Sequence, residues 1–303
     1  MADKIWTAAH MGAALAPYNL ALLEMNKIIQ GEISNKVELH TYPEGKLGDE
    51  KEALKKLLSG SINMMVGTAE SLSKLCPEIL ICDFPFIFND RKHFYNSVEN
   101  VLRNIFSEKF KKNGIRLLAV FDGGWRDIFN SKHSVQKPKD LEGLTMRTMD
   151  NPIHKDTFKL MGTKVLSIST KESYAALNTG LIDGGDRAAS NYYDYKYYSI
   201  APYYSKIGIF MGSSYLIATN EWIESIGKKL SEIVMNSALL AEKKEWQLYK
   251  NADTSSIEKI KGYNVKISIP ERSVFADATK SIWKAHLHLI EEKTILNSIR
   301  ELN

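Results

Sequence analysis

The sequence has little of what usually identifies a function class at first sight. Its 303 residues include only two cysteines, Cys76 and Cys82, too few for a disulfide framework. Cys82 lies in the apolar run 79–88, a setting typical of a buried free thiol. The longest apolar stretch, 207–218, is interrupted by glycines and serines and is shorter than the roughly 18–20 residues that cross a bilayer.

The charge is also nearly balanced. Forty Lys and Arg stand against 36 Asp and Glu, for a formal net charge of +4, and the two signs alternate along the chain. Nucleic-acid binding requires clustered positive charge. The sequence therefore predicts no nucleic-acid partner, and its 44% hydrophobic content is enough for the cores of about two domains.

Recognised catalytic motifs are missing as well. The chain has no Gly-x-Ser-x-Gly elbow, no phosphate-binding loop, no Gly-x-Gly-x-x-Gly fingerprint and no His-Glu-x-x-His pair. His286 and His288 are two residues apart on a helical pattern, which favours surface histidines over a metal site. Asp183 and Asp186 flank two glycines, where aspartates commonly serve turns and caps. We therefore expect a non-enzymatic protein that has no metal ion and no cofactor.

What is present is an alternation of strands and helices. An apolar run at Ile5–Ala9 ends at His10, and a helical pattern begins at Pro17. A strand pattern at Val37–Tyr42, a helix at Glu50–Leu58 and a strand at Ile62–Val66 complete a βαβαβ series. This alternation predicts an α/β protein with a mostly parallel sheet and helices on both faces.

A second and smaller α/β unit is expected after Gly123 and Gly124, where the chain can leave one domain for another. The strand near residue 120 and the strand near residue 210 are the predicted crossings between domains, and an unusually long helix follows Ile226. Two domains joined in this way form a cleft that can close on a small ligand. The two crossing strands are predicted at 115–121 and 206–219, and three further strands are predicted at 145–149, 163–168 and 182–183.

Arginines follow or occupy the predicted strands. Arg126 comes directly after Gly123, Gly124 and Trp125, and Arg147 lies within the strand pattern 144–149. A guanidinium presents donors in a fork that matches a carboxylate and stays charged when buried. The two residues therefore predict an organic-anion site; the alternative is that each arginine pairs with an acidic neighbour.

Five segments form an ordered set of short motifs: Pro43–Gly48, Leu58–Asn63, Asp83–Phe88, Pro138–Arg147 and Ala175–Gly184. In this order and spacing they resemble the motifs of the extracytoplasmic solute-binding proteins of tripartite ATP-independent periplasmic (TRAP) transporters, dicarboxylate type. The resemblance covers nearly the whole chain. It implies a two-lobed periplasmic-binding-protein fold with a ligand cleft between the lobes and a long helix that spans both.

The resemblance also implies the organisation and cellular role of the chain. Lobe I is expected at 1–123 and 212–251, and lobe II at 124–211 and 252–303. The protein would be a periplasmic monomer that delivers an organic anion to the membrane subunits of a TRAP permease. Residues 1–4 contain no apolar signal region, so the periplasmic location is implied by the resemblance alone.

Four ligand-binding residues follow from positions that match the family's motifs. Arg147 falls on the carboxylate-binding arginine and Arg126 on a second arginine of the cleft. His10 falls on a polar residue of the first loop, for which the alternative is a histidine that faces water. Glu70 matches an acid that accepts hydrogen bonds from ligand hydroxyl or amino groups.

The sequence departs from the family at Arg187, where many members have a neutral Asn. This departure predicts altered ligand specificity. Asn191 is a further candidate for the cleft. The tyrosines at 192–198 could suggest a base-stacking surface, but aromatic packing on a helix is the favoured interpretation.

Asp150, Asn151 and Trp125 complete the predicted site, with Trp125 either stacked on the apolar face of a ring or packed in a core. The predicted site residues together offer more hydrogen-bond donors and acceptors than a ligand with only a carboxylate could use, so the ligand is expected to carry hydroxyl groups as well. We therefore expect a sugar acid, a uronate or an aldonate. The alternatives are a 2-oxo acid or dicarboxylate as ligand and, in a different class, a periplasmic-binding-like enzyme that acts on a carboxylate.

Overall fold

Strands and helices alternate through residues 4–33, 36–290 and 294–302, the part of the chain that the computed structural model describes. The strands are β1 (Lys4–Ala9), β2 (Val37–Tyr42), β3 (Met64–Thr68), β4 (Ile115–Asn130), β5 (Thr145–Thr148), β6 (Lys164–Ser167), β7 (Gly184–Arg187), β8 (Tyr203–Thr219) and β9 (Lys266–Ser268). The α-helices are α1 (Pro17–Glu32), α2 (Glu50–Leu58), α3 (Ala69–Leu72), α4 (Arg91–Ser97), α5 (Arg103–Lys112), α6 (Pro152–Leu160), α7 (Thr170–Asn178), α8 (Ala189–Asp194), α9 (Asn220–Ser225), α10 (Lys228–Lys261), α11 (Arg272–His286) and α12 (Ile295–Arg300).

Helix starts follow local capping chemistry. Asp49 and Glu52 form a capping box at the start of α2, and Ser169 and Glu172 form another at α7. Asn151 caps α6 by accepting the backbone N–H of Ile153 at 2.9 Å. Each side chain satisfies an N–H group that a helix leaves without a partner in its first turn.

The chain divides into two compact units. Unit 1 contains residues 1–79, 96–122 and 213–249. Within it β1 pairs in parallel with β2 and β3, and β3 pairs antiparallel with residues 214–218 of β8. Its core packs α1 and α10 against this sheet through buried apolar residues such as Trp6, Met25 and Leu216.

Unit 2 contains residues 80–95, 123–212 and 250–303. Here β7 lies between β4 and β5, antiparallel to β4 and parallel to β5, and β6 extends the sheet beyond β5. Strand β9 pairs in parallel with residues 203–205 of β8. One core cluster of this unit is aromatic and includes Phe129, Tyr192 and Tyr197, as the packing interpretation of the tyrosines predicted.

The α/β class and the mixed, mostly parallel sheet are confirmed, and β2 and α2 have the predicted bounds. Three expectations are wrong. Strand β4 does not end before Gly123 and Gly124 but continues to Asn130, because a glycine with positive φ, here Gly124 at 89°, is tolerated inside a distorted strand. The strand predicted at 182–183 is instead Gly184–Arg187. Unit 2 has more residues than unit 1, because residues 80–95, which were expected in lobe I, belong to unit 2.

Side-chain environments correct two more expectations. His286 is buried and lies 3.0 Å from an oxygen of Asp156, so it is not a surface histidine. Asp186 is buried inside β7 rather than in a turn. Cys76 and Cys82 are free and buried. None of the described helices combines the length and the apolar character that crossing a membrane requires.

Candidate functional site

Strand pairing in unit 2 brings three arginines near one another. On β5, Arg147 pairs in register with Gly185 of β7, and Arg187 follows Gly185 by two residues on the same strand. Since side chains alternate along a strand and directly paired residues share a face, Arg147 and Arg187 share a face of the sheet. Arg126 lies on the neighbouring strand β4. We call Arg126, Arg147, Arg187 and Asp186 the arginine cluster.

Arg147 is buried, with 6% of its surface exposed. Its Nε donates to the carbonyl oxygen of Ile168 at 2.7 Å. Within the part of the chain that the structure describes, no carboxylate is hydrogen-bonded to Arg147, and its buried Nη1 has no hydrogen-bond partner. Burial, followed by the positive charges of Arg187 and Arg126, lowers the pKa of Arg147 to about 9. The guanidinium is therefore still charged at neutral pH, and an anion beside it would relieve an unfavourable environment.

Arg126 differs from Arg147 because it has an acidic partner. Its Nε donates to a carboxylate oxygen of Asp186, and its Nη2 donates to the Asp186 carbonyl oxygen at 2.8 Å. Burial raises the pKa of Asp186, but the charges of Arg126, His154 and Arg147 and the hydrogen bond from Arg126 together outweigh burial and lower it. For Arg126 the sequence-based alternative, pairing with an acidic residue, is therefore present in this structure. The second carboxylate oxygen of Asp186 has no hydrogen-bond partner among the described residues.

Arg187 is held by neutral groups. Its Nη2 donates to the hydroxyl of Thr170 at 3.2 Å, and its guanidinium carbon lies 5.9 Å and 6.0 Å from the ring centres of Tyr195 and Tyr197. Such cation–π contacts hold a cation in place without neutralising it. The buried hydroxyl of Tyr197 has no hydrogen-bond partner, so it can offer a further donor.

Asn151 and Asp150 are engaged in local structure. The amide nitrogen of Asn151 donates to Asp83 at 2.7 Å, while its oxygen caps α6. Asp150 is exposed and paired with Lys155. Asn191 lies in the short helix α8 and is half-buried.

Trp125 packs against a cation inside unit 2. The guanidinium of Arg272 lies 5.2 Å from its ring centre, and the indole covers Gly208, where a Cβ would come within 1.5 Å of the indole nitrogen. Gly208 also has a φ of 61°, which favours glycine. The ring is thus fixed in orientation and half-buried.

The two remaining candidates, His10 and Glu70, belong to unit 1. His10 follows β1, is buried, and lies with its Nε2 2.8 Å from the Asn19 side-chain oxygen. Burial lowers the pKa of its imidazole and outweighs the hydrogen bonds from the ring to Asn19 and to the backbone of Gly12, which act in the opposite direction. The alternative of a histidine that faces water is therefore wrong. Glu70 is exposed in the first turn of α3.

The structure thus brings Arg126, Arg147 and Arg187 together. The sequence did not reveal the residues that contact two of the candidates. Asn19 contacts His10, and Thr170 and Tyr197 contact Arg187. A signal for Asn19 was available, because it occupies the same face of α1 as the buried Leu22, Met25 and Ile29, where a polar residue needs a partner.

The cluster is suited to holding an anion rather than to transforming one. Its cationic groups carry fixed charge and donors, and no nucleophile paired with a base lies among its members. The described residues contain no group of acidic, histidine and cysteine side chains arranged to hold a metal ion. A carboxylate is the simplest ligand that fits a buried guanidinium with a free donor.

The chain is similar to known proteins along most of its length. Residues 8–288 match the family described as bacterial extracellular solute-binding protein, family 7. The 2,3-diketo-L-gulonate-binding periplasmic protein of Escherichia coli is 22% identical over 261 residues, 86% of this chain and 80% of that protein. The chain spans 56% of the length of an uncharacterised Haemophilus influenzae protein, to which it is 28% identical over 185 residues.

Two solved structures share the fold. A TRAP periplasmic solute-binding protein from Chromohalobacter salexigens with bound D-glucuronate has a TM-score of 0.91 at 23% identity, over 98% of this chain and 100% of that chain. A TRAP periplasmic solute-binding protein from Sulfurospirillum deleyianum with bound succinate has a TM-score of 0.92 at 22% identity, over 100% of both chains.

Proposed function

Because the chain belongs to the bacterial extracellular solute-binding proteins of family 7, we propose that it captures a sugar acid, such as a uronate or an aldonate, and delivers it to a TRAP permease. Members of this family are extracytoplasmic, bind small organic acids and are the non-enzymatic substrate-binding components of TRAP transporters. We propose that this chain acts in the periplasm as a monomer.

The observation that carries the proposal is the environment of Arg147. A buried guanidinium with an unused Nη1 and no hydrogen-bonded carboxylate keeps a donor pair ready for an external anion. Two parallel N–H bonds to a ligand carboxylate would satisfy both the charge and the donor.

Other polar groups favour a hydroxylated acid. The buried Tyr197 hydroxyl in unit 2 has no hydrogen-bond partner among the described residues, and a hydroxyl group of a ligand can satisfy such an atom. The relatives that bind 2,3-diketo-L-gulonate and D-glucuronate support a sugar acid. Glu70, Asp150, Asn151, Asn191 and Trp125 remain proposed ligand contacts.

A thermal-shift screen tests the proposal. Uronates, aldonates, aldarates, 2-oxo acids and C4-dicarboxylates would be added at equal concentration, with the uncharged parent sugars as controls. A ligand at a hundredfold its dissociation constant stabilises by about 2.7 kcal/mol. We expect the sugar acids to raise the melting temperature and the parent sugars to leave it unchanged; no shift with any acid would contradict the proposal.

Arg147→Met and Arg147→Lys then test the contact itself. Loss of the guanidinium should weaken binding of the best acid by about 2–5 kcal/mol, and lysine should restore only part of this because it lacks the fork. The melting temperature of the ligand-free protein should stay level or rise, since the empty site holds a poorly compensated charge. Titration calorimetry with near-wild-type affinity for Arg147→Lys would contradict the bidentate contact.

A further inference from the structure

The charges of the arginine cluster do not balance within unit 2. Its three guanidiniums accompany one carboxylate, Asp186, and that carboxylate is paired with Arg126. Arg147 and Arg187 are both buried, with 6% and 7% of their surfaces exposed, and their hydrogen bonds go to a carbonyl oxygen and a hydroxyl. Two buried positive charges are thus left without a bonded anion in the described part of this unit.

Neighbouring acids of unit 2 do not remove this excess. Asp183 bonds to the backbone N–H of Thr145 and lies 3.1 Å from Lys132. Asp150 is paired with Lys155 at the surface. Asp83 accepts a hydrogen bond from Asn151.

Asp127 is the acidic residue directly beside Arg187, because the two residues pair in register on β4 and β7. One of its oxygens accepts the backbone N–H of Gly208 at 2.7 Å, and the other accepts the hydroxyl of Tyr204 at 2.9 Å. Both oxygens of Asp127 therefore accept hydrogen bonds from groups other than Arg187.

Buried charges persist in proteins when they are paired. We infer that the preferred ligand is a sugar acid with two carboxylates, an aldarate, whose first carboxylate pairs with Arg147 and whose second pairs with Arg187. This inference rests on the proposed function and narrows its ligand class. A uronate or an aldonate has a single carboxylate, and its one negative charge would leave one of the two buried positive charges uncompensated.

A phosphorylated sugar acid fits the charge less well. A phosphate carries about −1.5 to −2 at neutral pH, so together with a carboxylate it exceeds the two available positive charges. The residue type at position 187 explains why this chain would differ from relatives. A neutral amide there would serve a ligand hydroxyl, whereas a guanidinium selects an anionic oxygen pair.

The test is titration calorimetry with matched ligands that differ only at one end. D-glucarate is compared with D-glucuronate, and galactarate with D-galacturonate. We expect the wild-type protein to bind each aldarate at least about thirtyfold more tightly than the matching uronate, the ratio that corresponds to one buried charge pair. Equal binding, or tighter binding of the uronates, would overturn the inference while leaving the proposed function intact. Absence of binding by all four acids would overturn the inference, and absence of a response to any acid of the thermal-shift screen would overturn the proposed function as well.

Variants at position 187 supply the second readout. Arg187→Asn should reduce the ratio of aldarate to uronate affinity toward one, mainly by weakening aldarate binding, and Arg187→Lys should keep most of the ratio because the charge remains. Arg116→Asn, in unit 1, lowers the net charge equally and should leave the ratio unchanged. An unchanged ratio in a folded Arg187→Asn protein would overturn the assignment. If that variant does not fold, the wild-type ratio and Arg187→Lys still decide it.

Discussion

At the scale of single residues, the hydrogen-bond partners of a buried histidine determine which ring nitrogen carries the proton. The amide nitrogen of Asn19 donates to the carbonyl oxygen of Ala14 at 2.7 Å, so its oxygen is the atom that faces His10 Nε2. An oxygen there requires the proton of the neutral imidazole to reside on Nε2. Nδ1 is then the ring nitrogen without a proton.

Nitrogen-15 NMR of the histidine ring tests this tautomer. We expect the neutral His10 ring to carry its proton on Nε2 and to gain a second proton only at a lower pH than an ordinary imidazole, because burial lowers its pKa. Asn19→Asp should raise the pKa of His10 by about one unit or more, since a carboxylate beside Nε2 stabilises the imidazolium. The exposed His288 serves as the internal reference. A proton on Nδ1 in the wild-type protein would contradict the assignment.

At the scale of elements, α10 completes the hydrogen bonding of a strand edge within unit 1. The carboxylates of Glu242 and Glu245 accept the backbone N–H groups of Val120 and Asp122 at 2.7 Å and 2.8 Å. Both glutamates are fully buried, and Arg103 of α5 bonds to Glu242. Side chains here take the place of a neighbouring strand, because a buried N–H group needs an acceptor.

Glu242→Ala should therefore lower the free energy of unfolding by about 3–5 kcal/mol, since it leaves both a buried N–H group and Arg103 without a partner. Glu242→Gln keeps an acceptor and should lose less. Glu232→Ala removes an exposed carboxylate from the same helix and should change stability by less than about 0.5 kcal/mol. Urea unfolding measures all three; a loss at Glu242 no larger than that at Glu232 would contradict the role.

At the scale of the whole molecule, one buried carboxyl influences how stability depends on pH. The pKa of Asp127 is raised by burial to about 7, against about 3.9 in an unfolded chain. Between these pH values the native state keeps a proton that the unfolded chain has lost. The free energy of unfolding therefore falls as pH rises through this window, and the contribution of Asp127 is fully present only below about pH 4.

Asp127→Asn should remove that dependence while keeping the shape of the side chain. The stability of the variant relative to wild type should increase by about 1–3 kcal/mol when the pH is raised from 5 to 8. Urea unfolding at pH 5, 6, 7 and 8 measures the difference between the two proteins, which cancels the titration of all other groups. A difference that stays constant with pH would show that Asp127 is ionised throughout.

The sequence by itself determined the α/β class, the bounds of β2 and α2, and the arginines as anion-binding candidates. These depend on local signals: apolar periodicity, the capping box at Asp49, and the fixed charge of a guanidinium. The ordered motifs from Pro43 to Gly184 also identified the family, because the order and spacing of motifs can be read from the sequence without the tertiary structure.

Only the tertiary structure decided which arginine is bonded to a carboxylate. Arg126 and Arg147 have similar sequence settings. In the structure Arg126 forms an ion pair with Asp186 of β7, whereas Arg147 has no bonded carboxylate among the described residues. Tertiary contacts likewise buried Glu242 and Glu245, which their positions on a charged helix would place in solvent. The physical reason is that burial and charge pairing depend on residues distant in sequence, which no local pattern records.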